Sequence, residues 1–234
     1  VSHELRTPLT AIQGCAETLT EVEDIAKCHH FAAIIHKHGS YLSAMIQDLL
    51  ALARLENEDG MLRLAPVSLE DAVMQAQSLC ADLCSRRHAT LAADIPEALE
   101  VMAHEETLCM VLRNIFENAY RFSPENGTVR VWARREGDRV LVRVADDGPG
   151  IAPDHLERVF ERFYRVEGHR GQQSTGLGLA ICKHAVERHG GRIWAESPAR
   201  DGHTAIVFTL AAARAAEDAS PARALPGPEG VEEE

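Results

Sequence analysis

Apolar residues recur early in the chain at Leu5, Leu9, Ile12, Ala16 and Leu19, stepping alternately by four and three. That spacing predicts a helix with a coiled-coil-like seam, fading in the polar stretch 20–24. A second stripe, Phe31, Ile35, His38, Leu42, Met45, Leu49 and Leu52, keeps the same step, and Ile34, Tyr41 and Leu55 widen it. Two such helices with a short polar connection predict an antiparallel hairpin. One hairpin cannot cover so broad an apolar face. A second copy, completing a four-helix bundle as a homodimer, is the expected solution. His38 on the stripe reads as a core histidine with a hydrogen-bond partner, and residues 56–60 read as a linker.

The pattern then turns to mixed helix and strand. Ser68 is a plausible N-cap, with Glu70 and Asp71 in the first turn, for a helix reaching about Arg87. Strand-like runs follow at 89–93 and 99–103, then a helix over 105–122 with Leu108, Val111, Leu112, Ile115 and Ala119 inward. Residues 129–135 and 139–145 alternate apolar and polar around Glu136-Gly137-Asp138, which predicts a β-hairpin. After a glycine-rich middle come a helix over 176–189 and strands at 192–196 and 204–210. From Ala215 the chain is alanine, proline and acidic residues, a composition that stays disordered. The expected organisation is a hairpin domain at 1–60, an α/β domain at 66–213 and an acidic tail at 214–234, α+β overall.

Composition removes several classes. The formal charge of −12 over 234 residues argues against a nucleic-acid binder, which shows a basic face. No run approaches the roughly 18 apolar residues of a membrane span, and no signal peptide is present; any membrane anchor would lie upstream of Val1. Six cysteines without a disulfide-like framework fit a reducing compartment. Cys80, Cys84 and His88, spaced by four, could share a helical face as metal ligands, although small buried hydrophobes are the commoner use of free cysteine.

Chemistry first suggests itself at Ser2-His3-Glu4-Leu5-Arg6-Thr7-Pro8-Leu9-Thr10. His3 lies about 200° round the helix from Leu5, away from the seam, with Glu4 adjoining and Thr7 one turn on. Pro8 cannot donate to the Glu4 carbonyl, so the helix should loosen there. An exposed imidazole beside a carboxylate can serve as a nucleophile with its base. The string closely resembles the phosphoacceptor box of two-component sensor histidine kinases, and its continuation Pro8-Leu9-Thr10-Ala11-Ile12-Gln13-Gly14 looks like their phosphate-responsive branch.

Four further blocks form a set. Asn114 and Asn118 in Asn114-Ile115-Phe116-Glu117-Asn118-Ala119-Tyr120-Arg121-Phe122 share one helix face, and amide oxygens suit a hydrated Mg²⁺. Alone, such a pair is ordinary surface polarity. Asp146-Asp147-Gly148-Pro149-Gly150-Ile151 follows a strand, where a carboxylate can accept from an exocyclic amine and glycine lets a ring approach the backbone; a plain turn fits equally. Val159-Phe160-Glu161-Arg162-Phe163-Tyr164-Arg165 and the polar stretch after it suit a hinged lid whose guanidinium groups reach phosphate. Ser174-Thr175-Gly176-Leu177-Gly178-Leu179 opens a helix, where backbone N–H groups favour phosphate. It lacks the preceding strand and third glycine of a dinucleotide-binding fold.

In this order the blocks resemble the asparagine, two glycine and phenylalanine boxes of the histidine-kinase catalytic domain, within the ATPase superfamily that includes gyrase. The resemblance covers about residues 1–212. It implies a mixed sheet packed on three helices, with ATP between the Asn114 helix and the lid. It implies Asn118 as the Mg²⁺ ligand, supported by Asn114, with Arg121 near the phosphates and Phe122 near adenine. Asp146 would accept from the adenine amine, Gly148, Gly150 and Ile151 would shape that pocket, and Thr175, Gly176, Leu177, Gly178 and Leu179 would close over the phosphates. Arg162 and Arg165 are lid candidates. Phe122 stands where many relatives have tyrosine, and Ser174 where glycine is frequent. The implied activity is transfer from Mg²⁺-ATP to His3, with Glu4 as base, then relay to an aspartate on a response-regulator receiver domain. The Thr7 position implies a phosphatase activity toward that regulator. The implied location is the cytoplasmic core of a membrane-anchored sensor. A gyrase-type ATP-hydrolysing machine would carry a glutamate base where Asn114 stands and would lack the His3 box.

Overall fold

Both stripes form helices, α1 (Ser2–Leu19) and α2 (Ile25–Asn57), packed as a hairpin. The computed structural model describes residues 2–57, 62–166, 174–199 and 202–213. α1 runs through Pro8 without a break; Pro8 is buried, and Thr7 Oγ1 donates to the His3 carbonyl at 3.3 Å. Asp24 Oδ1 accepts from the Ala26 N–H at 2.9 Å, an N-cap that starts α2. The expected linker starts late, since α2 is helical through Asn57; the remainder, 58–60, lies outside the described residues, as does the acidic tail 214–234. His38 is half-buried. No helix among the described residues is long and apolar enough to cross a membrane.

The α/β part comprises β1 (Ala65–Ser68), α3 (Leu69–Leu79), α4 (Ala81–Arg86), β2 (Thr90–Asp94), β3 (Glu100–Ala103), α5 (Glu105–Phe122), β4 (Thr128–Glu136), β5 (Arg139–Asp146), α6 (Gly178–Arg188), β6 (Arg192–Glu196) and β7 (Thr204–Ala211). Ser68 caps α3, its Oγ accepting from the Asp71 N–H at 3.3 Å. The expected helix to Arg87 is two helices. The chain turns at Cys80, whose buried thiol donates to the Arg113 carbonyl of α5 at 3.8 Å, so tertiary packing overrides a continuous helical pattern. Cys84 Sγ donates to the Ala89 carbonyl; among the described residues no group of three or more His, Cys, Asp or Glu is placed to hold a metal.

The five-stranded sheet has the order β2-β4-β5-β7-β6, with β2 parallel to β4 and the other pairs antiparallel. β1 and β3 form a separate antiparallel pair, tied to the end of β7 by a bridge between Val101 and Ala212. One sheet face supplies Val129, Val131, Val142 and Val144 to a core shared with Leu108, Leu112 and Ile115 of α5 and Ile181 and Val186 of α6. Met45, Leu52 and Leu55 of α2 join the same core. Hairpin and α/β unit are therefore packed together. At the far end of α6 the buried His189 clips two helices: its Nδ1–H donates to the Ala185 carbonyl at 2.7 Å, and its Nε2 accepts from the His104 N–H before α5 at 3.0 Å.

Candidate functional site

α5 is amphipathic, and its polar edge faces away from the sheet. Along that edge lies a cleft in two joined halves. The apolar half is walled by Ile115, Ala119 and Phe122 of α5, Val144 of β5, Ile206 of β7, Ile151 and Leu179, with Asp146 at its floor. The polar half is walled by Arg113, Asn114, Glu117 and Arg121 of α5, by Thr175, and by Ser40, Tyr41, Gln47 and Asp48 of α2. Asn118, Ser174 and Gly178 line both. An amide, a hydroxyl and a helix start thus mark the passage from apolar to polar.

Asp146 ends β5, a strand buried on its inner face, and is itself only 9% exposed. Burial pushes its carboxyl up to about 6; the neighbouring Asp147 charge adds to this, while the Gly148 N–H, at 2.8 Å from Oδ1, and His203 oppose it. Asp147 is otherwise engaged. Burial works against its charge, but the Thr128 N–H at 2.9 Å, Arg130 at 2.7 Å and His203 at 3.0 Å hold it below the usual carboxylate range. One carboxylate staples the turn and the other faces the cleft. A Cβ on Gly148 would meet Asp146 Oδ1 and displace that carboxylate. Gly150 has φ +91°, and Ile151 donates its N–H to Ser197 Oγ at 2.8 Å, which fixes the rim.

Gly176 has φ +71°, where L residues strain, and its carbonyl accepts from the Phe163 N–H at 2.8 Å. That contact brings the stretch before α6 against the 163–166 stretch. The helix expected from 176 begins at Gly178, because Gly176 sits in the left-handed region. Thr175 Oγ1 accepts from the Leu177 N–H at 3.2 Å and donates to Asp48 Oδ2 at 2.6 Å.

Three expected contributors line neither half: Leu177, Arg162 and Gly148, the last of which reaches the cleft only through its N–H on Asp146. The Leu177 side chain is fully buried in the core and its N–H is committed to Thr175. Arg162 pairs with Glu56 of α2 and lines neither half of the cleft. Arg165 does line the cleft, and burial lowers the Arg121 pKa, with Arg165 acting in the same direction and Glu117 against it. Asn114 is 7% exposed, and its Nδ2 has no hydrogen-bond partner among the described residues.

His3 and Glu4 are exposed on α1. Burial raises the Tyr41 phenol, Glu4 raises it further, and Arg165 lowers it. Tyr41, on the wall of the polar half, therefore feels both Glu4 of the phosphoacceptor-like turn and Arg165 of the lid stretch. Sequence reading missed this α2 wall. A signal existed: Ile34, Tyr41, Asp48 and Leu55 form a seven-residue row in which Asp48 is the single charge.

Over residues 1–58 the chain matches the His Kinase A (phospho-acceptor) domain, and over 103–214 the Histidine kinase-, DNA gyrase B-, and HSP90-like ATPase. It is similar to the sensor-like histidine kinase SenX3 of Mycolicibacterium smegmatis, 34% identical over 215 residues, covering 90% of this chain and 55% of that one. It is also similar to the phosphate regulon sensor protein PhoR of Pseudomonas aeruginosa, 35% identical over 210 residues, covering 87% and 47%. The chain thus spans about half the length of these curated relatives. Among solved structures, full-length ShkA in complex with AMPPNP superimposes with a TM-score of 0.66 at 31% identity, covering 92% of this chain and 45% of that one.

Proposed function

We propose, as the activity of a chain that belongs to the two-component sensor histidine kinases, ATP-dependent phosphorylation of His3 followed by transfer to an aspartate of a response-regulator receiver domain. The observation that carries it is the two-part cleft, apolar with a buried carboxylate at one end and polar against the hairpin at the other. Asp146 accepts from the exocyclic amine of adenine, and Ile115, Phe122 and Ile151 enclose the ring. That ShkA was solved in complex with AMPPNP supports an adenine nucleotide as the ligand.

The donors of the polar half fit Mg²⁺. Asn114, Asn118 and Glu117 offer hard oxygens, and no soft ligand lines this half. Asn118, with Asn114, would hold the ion, which when bound offsets the negative charge of the phosphates. Arg121 and Arg165 add fixed positive charge, and the start of α6 offers backbone N–H groups. Gly150, Gly176 and Gly178 keep the walls thin and Gly148 orients Asp146 through its N–H, while Thr175 and Leu179 border the phosphate passage.

Catalysis by this chain is positioning and electrostatics. One His3 ring nitrogen forms the N–P bond as the bond from the γ-phosphorus to the bridging oxygen breaks, releasing ADP. Glu4 takes the proton from the other nitrogen. Thr7, whose hydroxyl is on the same turn, orients water for dephosphorylation of the regulator. Residues 1–60 act as the dimerisation and phosphotransfer unit and 66–213 as the ATP-binding unit, with 214–234 a tail. The core works on the cytoplasmic side, carried by a membrane anchor outside these 234 residues.

Labelling with γ-phosphate-labelled ATP tests this. The wild-type chain takes up acid-labile label, whereas His3→Gln takes up none and still binds nucleotide. Label persisting in His3→Gln moves the acceptor elsewhere. Thr7→Ala retains autophosphorylation and loses dephosphorylation of the regulator.

A further inference from the structure

We propose that Asp48 of the hairpin and the phosphates of ATP are alternative anionic partners of Thr175 and the start of α6, so that nucleotide binding releases the ATP-binding unit from α2. This rests on the nucleotide reading above and adds a positioning residue to it.

The geometry is specific. Asp48 Oδ2 accepts from Thr175 Oγ1 at 2.6 Å, across 127 residues of chain. The same hydroxyl accepts from the Leu177 N–H, immediately before α6. Asp48, Thr175, Gly178 and Asn118 all line the polar half of the cleft. A carboxylate from the hairpin therefore stands beside a helix N-terminus, where an anion is stabilised by the oriented N–H groups. A triphosphate seeks the same environment. Two anions in one partly buried cavity repel, and one hydroxyl proton serves one acceptor at a time. Burial already raises the Asp48 carboxyl above its ordinary value, with the Thr175 hydroxyl and Arg113 pulling it back down. The carboxylate depends on these partners and has no surplus to share.

What remains after release is the apolar contact of Met45, Leu52 and Leu55 and a polar pivot beyond it. Arg188 donates to the Leu55 carbonyl at 2.6 Å, His184 lies 3.3 Å from the same oxygen, and Arg162 pairs with Glu56. These contacts lie seven residues beyond Asp48, about 10 Å along the helix, outside the polar half. Losing Thr175–Asp48 while keeping them lets the ATP-binding unit swing about the end of α2. Phosphoryl transfer to His3, near the start of the antiparallel helix, requires such freedom.

Affinities of the full chain for the non-hydrolysable AMPPNP and for adenosine, which has no phosphates, test the competition. Asp48→Ala is expected to tighten AMPPNP binding roughly tenfold, the worth of one charge-assisted hydrogen bond, and to leave adenosine unchanged. Asp48→Asn, which keeps the shape and an acceptor but removes the charge, is expected to give a smaller gain of the same sign. AMPPNP affinity that is unchanged in Asp48→Ala overturns the proposal. So does weakened affinity, which would make Asp48 a ligand of the nucleotide's own cation. Equal tightening of adenosine also overturns it, since the effect would then not involve phosphate. A wild-type chain binding neither ligand overturns the nucleotide reading itself, and this proposal with it.

Discussion

The two adjacent aspartates show how environment separates identical side chains. Asp147 is neutralised by a backbone N–H, a guanidinium and an imidazole, whereas Asp146 is buried at the cleft floor with its carboxyl raised to about 6. Asp146 Oδ1 already accepts from the Gly148 N–H, so accepting from an amine through the other oxygen as well favours the ionised carboxylate. Adenosine affinity should therefore hold steady above pH 7 and fall below about pH 6, approaching tenfold per pH unit. Asp146→Asn binds more weakly at pH 8 and shows a flat profile; isothermal titration across pH 5–8 reads both. Glycine positions separate in the same way. A Cβ on Gly176 would lie 2.8 Å from the Phe163 carbonyl carbon, at a backbone φ of +71°. On Gly178 the nearest atom is 3.8 Å away, and the residue opens a helix. Gly176→Ala should cost on the order of 1–3 kcal/mol, whereas Gly178→Ala should be neutral or stabilising, as urea unfolding will show.

Among the elements, α5 and α6 carry the cleft, and His189 fixes their far ends. Its Nε2 must stay unprotonated to accept from the His104 N–H, and burial lowers its pKa, with His104 and Arg188 acting the same way. A depressed folded pKa means the stabilisation is complete above the ordinary histidine value of about 6.5 and is lost as pH falls through the folded value. The urea midpoint should drop between pH 7 and 5 in the wild type, and less steeply in His189→Gln, which is weaker at pH 7. The elements also show what a sequence reveals. α5 was legible to its ends because Leu108, Val111, Leu112, Ile115 and Ala119, all buried, repeat at the helical period. The β4–β5 hairpin was legible through alternation around Gly137, whose φ of +64° suits the turn. β1 was not: four residues including Pro66, half of them exposed, have no period to read. The break at Cys80 depends on Arg113, 33 residues away. For the same reason the α2 wall of the cleft and the diversion of Arg162 to Glu56 were hidden, since neither partner is near in sequence. The boxes named the residue types of the site; only packing decided that Leu177 faces the core.

At the scale of the molecule, the single chain leaves apolar surface uncovered, and it does so unevenly. On the hairpin, Leu9 of α1 and Ile46 and Leu50 of α2 are 48%, 50% and 55% exposed, while Met45, Leu52 and Leu55 of α2 are buried against the ATP-binding unit. α2 thus has one face spent within the chain and another left over. Ile46 and Leu50, one turn apart, form a ridge of the kind that packs into the groove of another helix. A second hairpin supplies that groove, and two-fold symmetry presents each ridge twice. Met74 and Leu79 of α3, each 60% exposed, lie on the other unit and belong to no such bundle face. Ile46→Glu should therefore raise the dimer dissociation constant on the order of a hundredfold, from ~1.5 kcal/mol or more lost at each of two symmetric positions. Met74→Glu should leave it unchanged. Sedimentation equilibrium distinguishes the two, and because the ATP cleft is assembled within one chain, Ile46→Glu should keep wild-type adenosine affinity even as a monomer. Dimerisation lost equally in both variants would place the interface on α3 as well, and an Ile46→Glu monomer that cannot bind adenosine would make the cleft a property of the dimer.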